Sequence, residues 1–181
     1  GNIAATSQSN NTVPMNDNRI AMEKELRFYS STSRDFAMLK TDASNIMMKW
    51  RRSSWDGMVN LFSFDNAGTF TSNKSVELVR DGGQYNDLIK GPGNIYIGAE
   101  QGYYRENNLN RWGLLISTLS TDGTNDVQII DTERMTQYSN DNTTSYYKYP
   151  SLTAINDSIY AVGYRGYGHD GFIETFKVSA S

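Results

Sequence analysis

The stretch IYAVGYRGYGHDGFIETFKV, residues 159–178, joins two apolar runs through a glycine-rich turn that carries the single histidine of the chain, His169. In the second run, Phe172, Phe176 and Val178 fall on one side of a period-2 pattern, which is typical of a β-strand. The first run is apolar almost throughout, as expected for an inner strand that is covered on both faces. The stretch therefore predicts two adjacent strands joined by a short turn.

The same pattern occurs in two further places, which indicates an internal repeat. The segment YPSLTAINDSIYAVGYRG, starting at Tyr149, aligns without a gap with YNDLIKGPGNIYIGAEQG, which starts 64 positions earlier at Tyr85. A third copy, residues 36–69, lies 114 positions before the C-terminal copy and places Arg51 at the position of Arg165. The glycines that follow the turn in the three copies are Gly57, Gly113 and Gly171.

The repeats divide the chain into three units of about 57 residues. We expect a polar N-terminal arm at 1–15 and a single β domain at 16–181, with units at 16–68, 69–123 and 124–181. Each unit opens with a further strand-like piece. These pieces are RIAMEKELRFYSS from Arg19, SVELVRD from Ser75 and DVQIIDTERMTQY from Asp126. For the first piece a short helix capped by Asn18 is the alternative.

Units with three or four strands, repeated at this spacing, favour an all-β fold of β-propeller blades. The alternative is a β-trefoil-like or other threefold β fold. The third unit resembles blades of propellers found in microbial surface and secreted proteins, in which an (I/V)YA(I/V)xYxG strand turns through a Gly/Asp loop into DGxIxTxxI. The second unit carries an insertion in that loop, and the first has Met and Trp substitutions. The resemblance implies blade-like repeats. Because the chain is triplicated and carries no catalytic motif, we expect a protein that acts outside the cell, on a cell surface or on a virion.

Three blades are fewer than a propeller usually needs for closure, so two sheet edges would stay open. Open edges pair readily with other chains. We therefore expect a homo-oligomer or larger assembly. The chain would be half of a six-bladed dimer, one piece of a longer product, or a compact threefold unit.

The turns between paired strands concentrate aromatic and arginine side chains at 51–57, 101–113 and 165–171. If the units are related by rotation, these turns share one rim. Aromatic faces stack on sugar rings, and Arg, Asp and Asn side chains hydrogen-bond the sugar hydroxyl groups. The alternative is that these side chains pack between adjacent strands. The candidate ligand-binding residues are Arg51, Trp55, Asp56, Tyr104, Arg111, Trp112, Arg165, Tyr167, His169 and Asp170.

Other classes of function find little support in the sequence. The net charge of −3 provides no basic field for nucleic acid, and no apolar segment is long enough for a transmembrane helix. The absence of cysteine excludes zinc–thiolate sites. We predict no cofactor and no metal, and we interpret the Asp/Asn-rich segments 16–19, 122–126 and 140–144 as turns rather than calcium loops. The segment SFDNAGTF, 63–70, is interpreted as a turn between strands.

No catalytic residue is predicted. His169 falls at the position of Trp55, and no Gly-x-Ser-x-Gly motif accompanies it. The sequence favours a non-enzymatic β-repeat protein that binds a glycan or receptor through several similar turns. The alternatives are a structural subunit of a phage, virus or surface filament, and a propeller-type glycoside hydrolase that uses paired carboxylates.

Overall fold

The computed structural model describes residues 32–79, 82–106, 109–121, 126–135 and 147–179. These residues form eleven β-strands and one short 3₁₀ turn, which confirms the all-β prediction. Within them, no helix has the length and apolar character needed to cross a membrane. The predicted arm at 1–15 and the strand-like or helical piece from Arg19 lie outside the described residues.

The strands form three antiparallel sheets, and each sheet is a meander of strands consecutive in the chain. The first sheet contains β1 (Ser33–Lys40), β2 (Asn45–Arg52), β3 (Gly57–Phe64) and β4 (Phe70–Val79). The second contains β5 (Gln84–Lys90), β6 (Ile95–Glu106), β7 (Leu109–Thr121) and β8 (Val127–Arg134). The third contains β9 (Lys148–Ala154), β10 (Ile159–Arg165) and β11 (Gly171–Lys177).

The ends of the sheets do not coincide with the predicted boundaries of the repeat units at 68 and 123. β4 and β8 follow those boundaries, yet each pairs with the strand before it and completes the preceding sheet. The β3–β4 connection explains this, because Asp65 closes a tight turn by accepting hydrogen bonds from the backbone N–H groups of Ala67 and Thr69. The segment 63–70 is therefore a turn between strands, as the sequence predicts.

The first two strands of every sheet share one local geometry. A register shift interrupts the β1–β2, β5–β6 and β9–β10 ladders near the start of β1, β5 and β9. The residues at these shifts, Asp35, Tyr85 and Tyr149, have φ values of +55°, +52° and +56°. Side chains other than glycine rarely adopt this conformation. The irregularity recurs at the spacing that the sequence alignment predicts for the hairpins.

Apolar clusters hold the sheets face to face. Side chains alternate across β6, so Ile95, Ile97 and Ala99 join the third sheet's cluster while Tyr96 joins the first sheet's. The first half of β6, residues 95–99, is therefore covered on both faces, which accounts for its run of apolar and small residues. The cluster between the first and second sheets comprises Met47, Val59, Leu61, Leu88, Tyr96, Leu119 and Val127. A further cluster on the first sheet contains Met48, Trp50, Met58 and Phe62.

The first strands of the sheets lie side by side, with β5 packed against both β1 and β9. The side chain of Asn86 donates a hydrogen bond to the backbone carbonyl of Asp35 at 2.6 Å. The carboxylate of Asp87 accepts one from the backbone N–H of Leu152, also at 2.6 Å. Two neighbouring residues of β5 thus tie the second sheet to both of its neighbours.

An ion pair is enclosed between the first two sheets. Lys49 of β2 and Glu100 of β6 are fully buried, and Nζ lies 3.3 Å from Oε1. Glycines leave room for both groups, because a Cβ at Gly98 would lie 2.7 Å from the Lys49 side chain and one at Gly57 would lie 2.7 Å from Glu100 Oε2. Burial lowers the pKa of Lys49, and the carboxylates of Glu100 and Asp87 act in the opposite direction.

The first sheet and the connection that leads into β5 come into close backbone contact at a pair of glycines, Gly57 and Gly83. Gly83 has a φ of +78°, and a Cβ atom at this residue would lie 2.3 Å from the Cα of Gly57. Both the conformation and the space therefore require glycine.

We expect Gly83→Ala to lower the free energy of unfolding by about 3 kcal/mol, since it adds left-handed strain to a backbone clash. Gly68→Ala is the matched control, because Gly68 has a φ of +73° but nothing within 4 Å of the added methyl group. It should cost only about 1 kcal/mol. Urea unfolding of both variants measures the difference, and equal losses would contradict the close approach.

We expect Lys49→Met to destabilise the fold by about 4 kcal/mol, because it leaves the Glu100 carboxylate buried without its partner. The double variant Lys49→Met/Glu100→Gln should regain much of this loss, since it buries no charge. A double-mutant cycle from urea unfolding at neutral pH gives the coupling. Additive effects of the two substitutions would show that the groups do not interact.

Candidate ligand-binding site

The β2–β3 turn presents Trp55 to solvent. Backbone hydrogen bonds close this turn from Arg52 N–H to the Asp56 carbonyl at 3.1 Å and from Trp55 N–H to the Arg52 carbonyl at 3.0 Å. Trp55 has a φ of +70°, and its side chain is 52% exposed. The guanidinium carbon of Arg51 lies 4.6 Å from the centre of the indole. The guanidinium of Arg51 thus makes a cation–π contact with one face of the indole ring.

Carboxylates fix the two arginines of this turn. Asp56 is buried, and its Oδ2 accepts hydrogen bonds from Arg52 Nε and from Ser54 Oγ. Arg52 Nη2 also lies 2.8 Å from a carboxylate oxygen of Glu77 on β4. Arg51 Nε lies 3.1 Å from Asp35 Oδ2. Both guanidinium groups are therefore held in defined orientations before any ligand arrives.

A cleft of about 250 Å³ opens beside this turn. Its lining residues are Thr32, Arg34, Arg51, Arg52, Ser53 and Trp55. Three of them carry a guanidinium group, whereas the carboxylates of Asp35 and Asp56 do not line the cleft. Arg34 stands opposite Arg51 in the β1–β2 ladder. Like charges directly opposite each other are unfavourable on a sheet, so this arrangement favours an anionic group in the cleft.

The β10–β11 turn repeats this backbone in the third sheet. Gly166 N–H donates to the Asp170 carbonyl at 2.9 Å, and His169 N–H donates to the Gly166 carbonyl at 3.3 Å. His169 has a φ of +74°, close to that of Trp55. The prediction that His169 occupies the position of Trp55 thus agrees with the backbone. The exposed His169 ring contacts the guanidinium of Arg165 through Nδ1. Tyr167 lies in the same turn, and only its backbone is described.

The second sheet departs from the prediction of a similar rim loop at 101–113. β6 and β7 continue as a paired ladder as far as Glu106 and Leu109. Tyr104 pairs with Arg111, and Trp112 pairs with Tyr103, so these residues lie on strands. Gly113 pairs with Gly102. In its hairpin it is therefore displaced by one ladder position relative to Gly57 and Gly171 in theirs.

The structure therefore separates the predicted site residues into three local groups. Arg51 and Trp55 line the cleft of the first sheet, and Asp56 lies in the same turn, where its carboxylate holds Arg52. The third sheet holds Arg165, Tyr167, His169 and Asp170, and the extended hairpin carries Tyr104, Arg111 and Trp112. Sequence reasoning missed Arg34 and Thr32, which reach the cleft because β1 pairs with β2. The cross-strand register of this hairpin is the signal that would have identified Arg34.

Comparisons of the chain with protein-family models, with curated proteins and with solved structures find no match. Within the described residues, no group of three or more His, Asp or Glu side chains is placed to hold a metal ion. The segments 16–19 and 140–144, and 122–125 of the remaining Asp/Asn-rich segment, lie outside the described residues.

We expect Asp56→Ala to lower the free energy of unfolding by about 2 kcal/mol, because it removes the buried acceptor shared by Arg52 and Ser54. Trp55→Gly should change stability by less than about 1 kcal/mol, since relief of the left-handed conformation offsets the lost contact with Arg51. Urea unfolding compares the two variants. A larger loss for Trp55→Gly would identify Trp55 as a packing residue.

Proposed function

We propose that this chain is a non-enzymatic β-repeat protein that binds a glycan, and that the ligand carries a carboxylate or sulfate group. The observation that carries the proposal is the cleft of the first sheet, where Arg34, Arg51 and Arg52 surround the exposed indole of Trp55. An acidic sugar offers both an apolar C–H face and an anionic group. The cleft is complementary to each of them.

The ligand would stack its ring on the open face of Trp55, whose other face rests against Arg51. Its anionic group would accept two parallel hydrogen bonds from the guanidinium of Arg34, and Arg52, whose Nε and Nη2 are engaged by Asp56 and Glu77, would contribute through Nη1. Asp56 and Glu77 already orient Arg52, so little side-chain entropy is lost on binding. A cationic side chain that is oriented in advance in this way is better suited to binding a ligand than to packing between strands.

We also propose that the three sheets are copies of one propeller-blade-like unit. Four-stranded meanders are typical of blades. Support comes from the shared bulges at Asp35, Tyr85 and Tyr149 and from the matching turns at Trp55 and His169. The position of β5 between β1 and β9 suits first strands that surround a common axis. The alternative of a threefold fold such as a trefoil has less support, because its units are not four-stranded meanders.

Repetition would let the chain bind through more than one turn. The third sheet offers Arg165 and His169 where the first offers Arg51 and Trp55. Two weak sites on one rigid chain raise the apparent affinity for a polymeric ligand. Such multivalent contact fits a protein that acts outside the cell, on a cell surface or on a virion.

Isothermal titration with a short uronic-acid oligosaccharide tests the proposal. Trp55→Gly and Arg34→Gln should each weaken binding about tenfold, since each removes one favourable contact. Lys40→Gln is the matched control, because Lys40 is an exposed cation at the opposite end of β1. It should leave the affinity unchanged, and a neutral oligosaccharide of the same length should bind more weakly.

Equal losses for Arg34→Gln and Lys40→Gln would show that only net charge matters and would contradict a defined site. Failure of both oligosaccharides and of a broad glycan array to bind would favour the second candidate function, a structural subunit. The observation behind that candidate is the outer edge of β11, which pairs with no described strand. The glycoside hydrolase alternative gains no support from this cleft, whose described lining contains no pair of carboxylates.

A further inference from the structure

A groove lies between the last strand of the third sheet and the last strand of the second. It encloses about 450 Å³ between β11 and β8. Its apolar lining includes Ile95, Ile116, Met135, Phe176 and Val178. Charged side chains of β8 and β11 stand at its margin, among them Asp131, Glu133 and Lys177.

The groove occupies the place that a fourth strand of the third sheet would take. In the first sheet the fourth strand, β4, pairs with β3 and packs against β8 of the next sheet. By the same arrangement, a fourth strand of the third sheet would pair with β11 and pack against β8. Within the described residues nothing pairs with the outer edge of β11, so its N–H and C=O groups face this position.

The chain contains a segment suited to this place. The fourth strands β4 and β8 directly precede the first strands β5 and β9 of the following sheets. The segment RIAMEKELRFYSS, 19–31, directly precedes β1 in the same way. Its apolar residues Ile20, Met22, Leu26 and Phe28 fall on one side of a period-2 pattern. On that side Lys24 is the single charge, and the margin of the groove offers it the carboxylates of Asp131 and Glu133 beside the cations Arg134 and Lys177.

The connection to β1 indicates which copy supplies the segment. Only Thr32 separates residue 31 from β1, and one residue spans roughly 3.5 Å. β1 packs against β5, and β5 separates it from β9. A strand added beyond β11 would lie three strand spacings, about 14 Å, from β9. The segment of the same chain is therefore too far from the groove, whereas the segment of a second copy is not.

We propose that two copies of this chain form a dimer by exchanging residues 19–31, each adding a fourth strand to β11 of its partner. The exchange is reciprocal and therefore closes as a twofold-symmetric pair. It satisfies the edge of β11 and fills the groove with apolar side chains. It also brings the third sheet of one copy beside the first sheet of the other, so that six sheets follow one another.

Light scattering coupled to size exclusion tests the dimer with the full chain. The expected mass is twice the 20.4 kDa of one chain. Leu26→Asp/Phe28→Asp places charge on the apolar side of the segment and should raise the dimer dissociation constant at least about a hundredfold. Glu25→Gln changes the opposite side and should leave the dimer intact. Urea unfolding confirms that the compared variants are folded.

A synthetic peptide of residues 19–31, added in excess, should convert the dimer into a peptide-bound monomer. A peptide with the Leu26→Asp and Phe28→Asp changes should not. A full chain that is monomeric, or a dimer that survives both the substitutions and the peptide, would overturn the proposal. A monomer that loses stability with Leu26→Asp/Phe28→Asp would assign the groove to the chain's own segment instead.

Discussion

The close approach of the first sheet to the connection that leads into β5, at Gly57 and Gly83, is the constraint on which the arrangement depends. Without side chains at these two positions the backbones nearly touch, and the neighbouring space admits the buried pair of Lys49 and Glu100. A buried charged pair adds little net stability, but displacing one sheet relative to the other would leave each charge buried without its partner. The pair therefore fixes the relative position of two sheets whose apolar contacts alone are less specific. The cleft depends on this order, because β1 and β2 carry its arginines.

Features that arise between neighbouring residues could be predicted from the sequence. The hairpins of β2–β3 and β10–β11 follow from apolar runs joined by Gly/Asp turns, and the matching positions of Trp55 and His169 follow from the repeat. Features that depend on which strands pair, and in which register, could not be predicted from the sequence. The β6–β7 extension is rich in Tyr, Arg and Asn, which resembles a loop until Tyr104 and Arg111 are seen to face each other. Arg34 joins the cleft only through the register of β1.

The limits of the sheets and the ion pair were missed for a similar reason. A strand that precedes a turn and a strand that follows it look alike in sequence. The sequence therefore places β4 in the following unit, although β4 pairs with β3. Lys49 interrupts the apolar run 46–50 of β2, and its own strand gives no indication of Glu100, 51 positions further along. Hydrophobic periodicity identifies which faces are buried but not which faces meet.

The turn shared by Trp55 and His169 has a consequence for how such a chain diversifies. In both turns the N–H of the tip residue donates a hydrogen bond to the carbonyl three positions earlier, and the N–H of that earlier residue donates to the carbonyl one position after the tip. The side chain at the tip takes no part in these hydrogen bonds. An indole and an imidazole are already accommodated on the same backbone. The side chain at this tip can therefore change by single substitutions while the scaffold stays constant, so related chains would share the framework and differ in the chemical group they expose there.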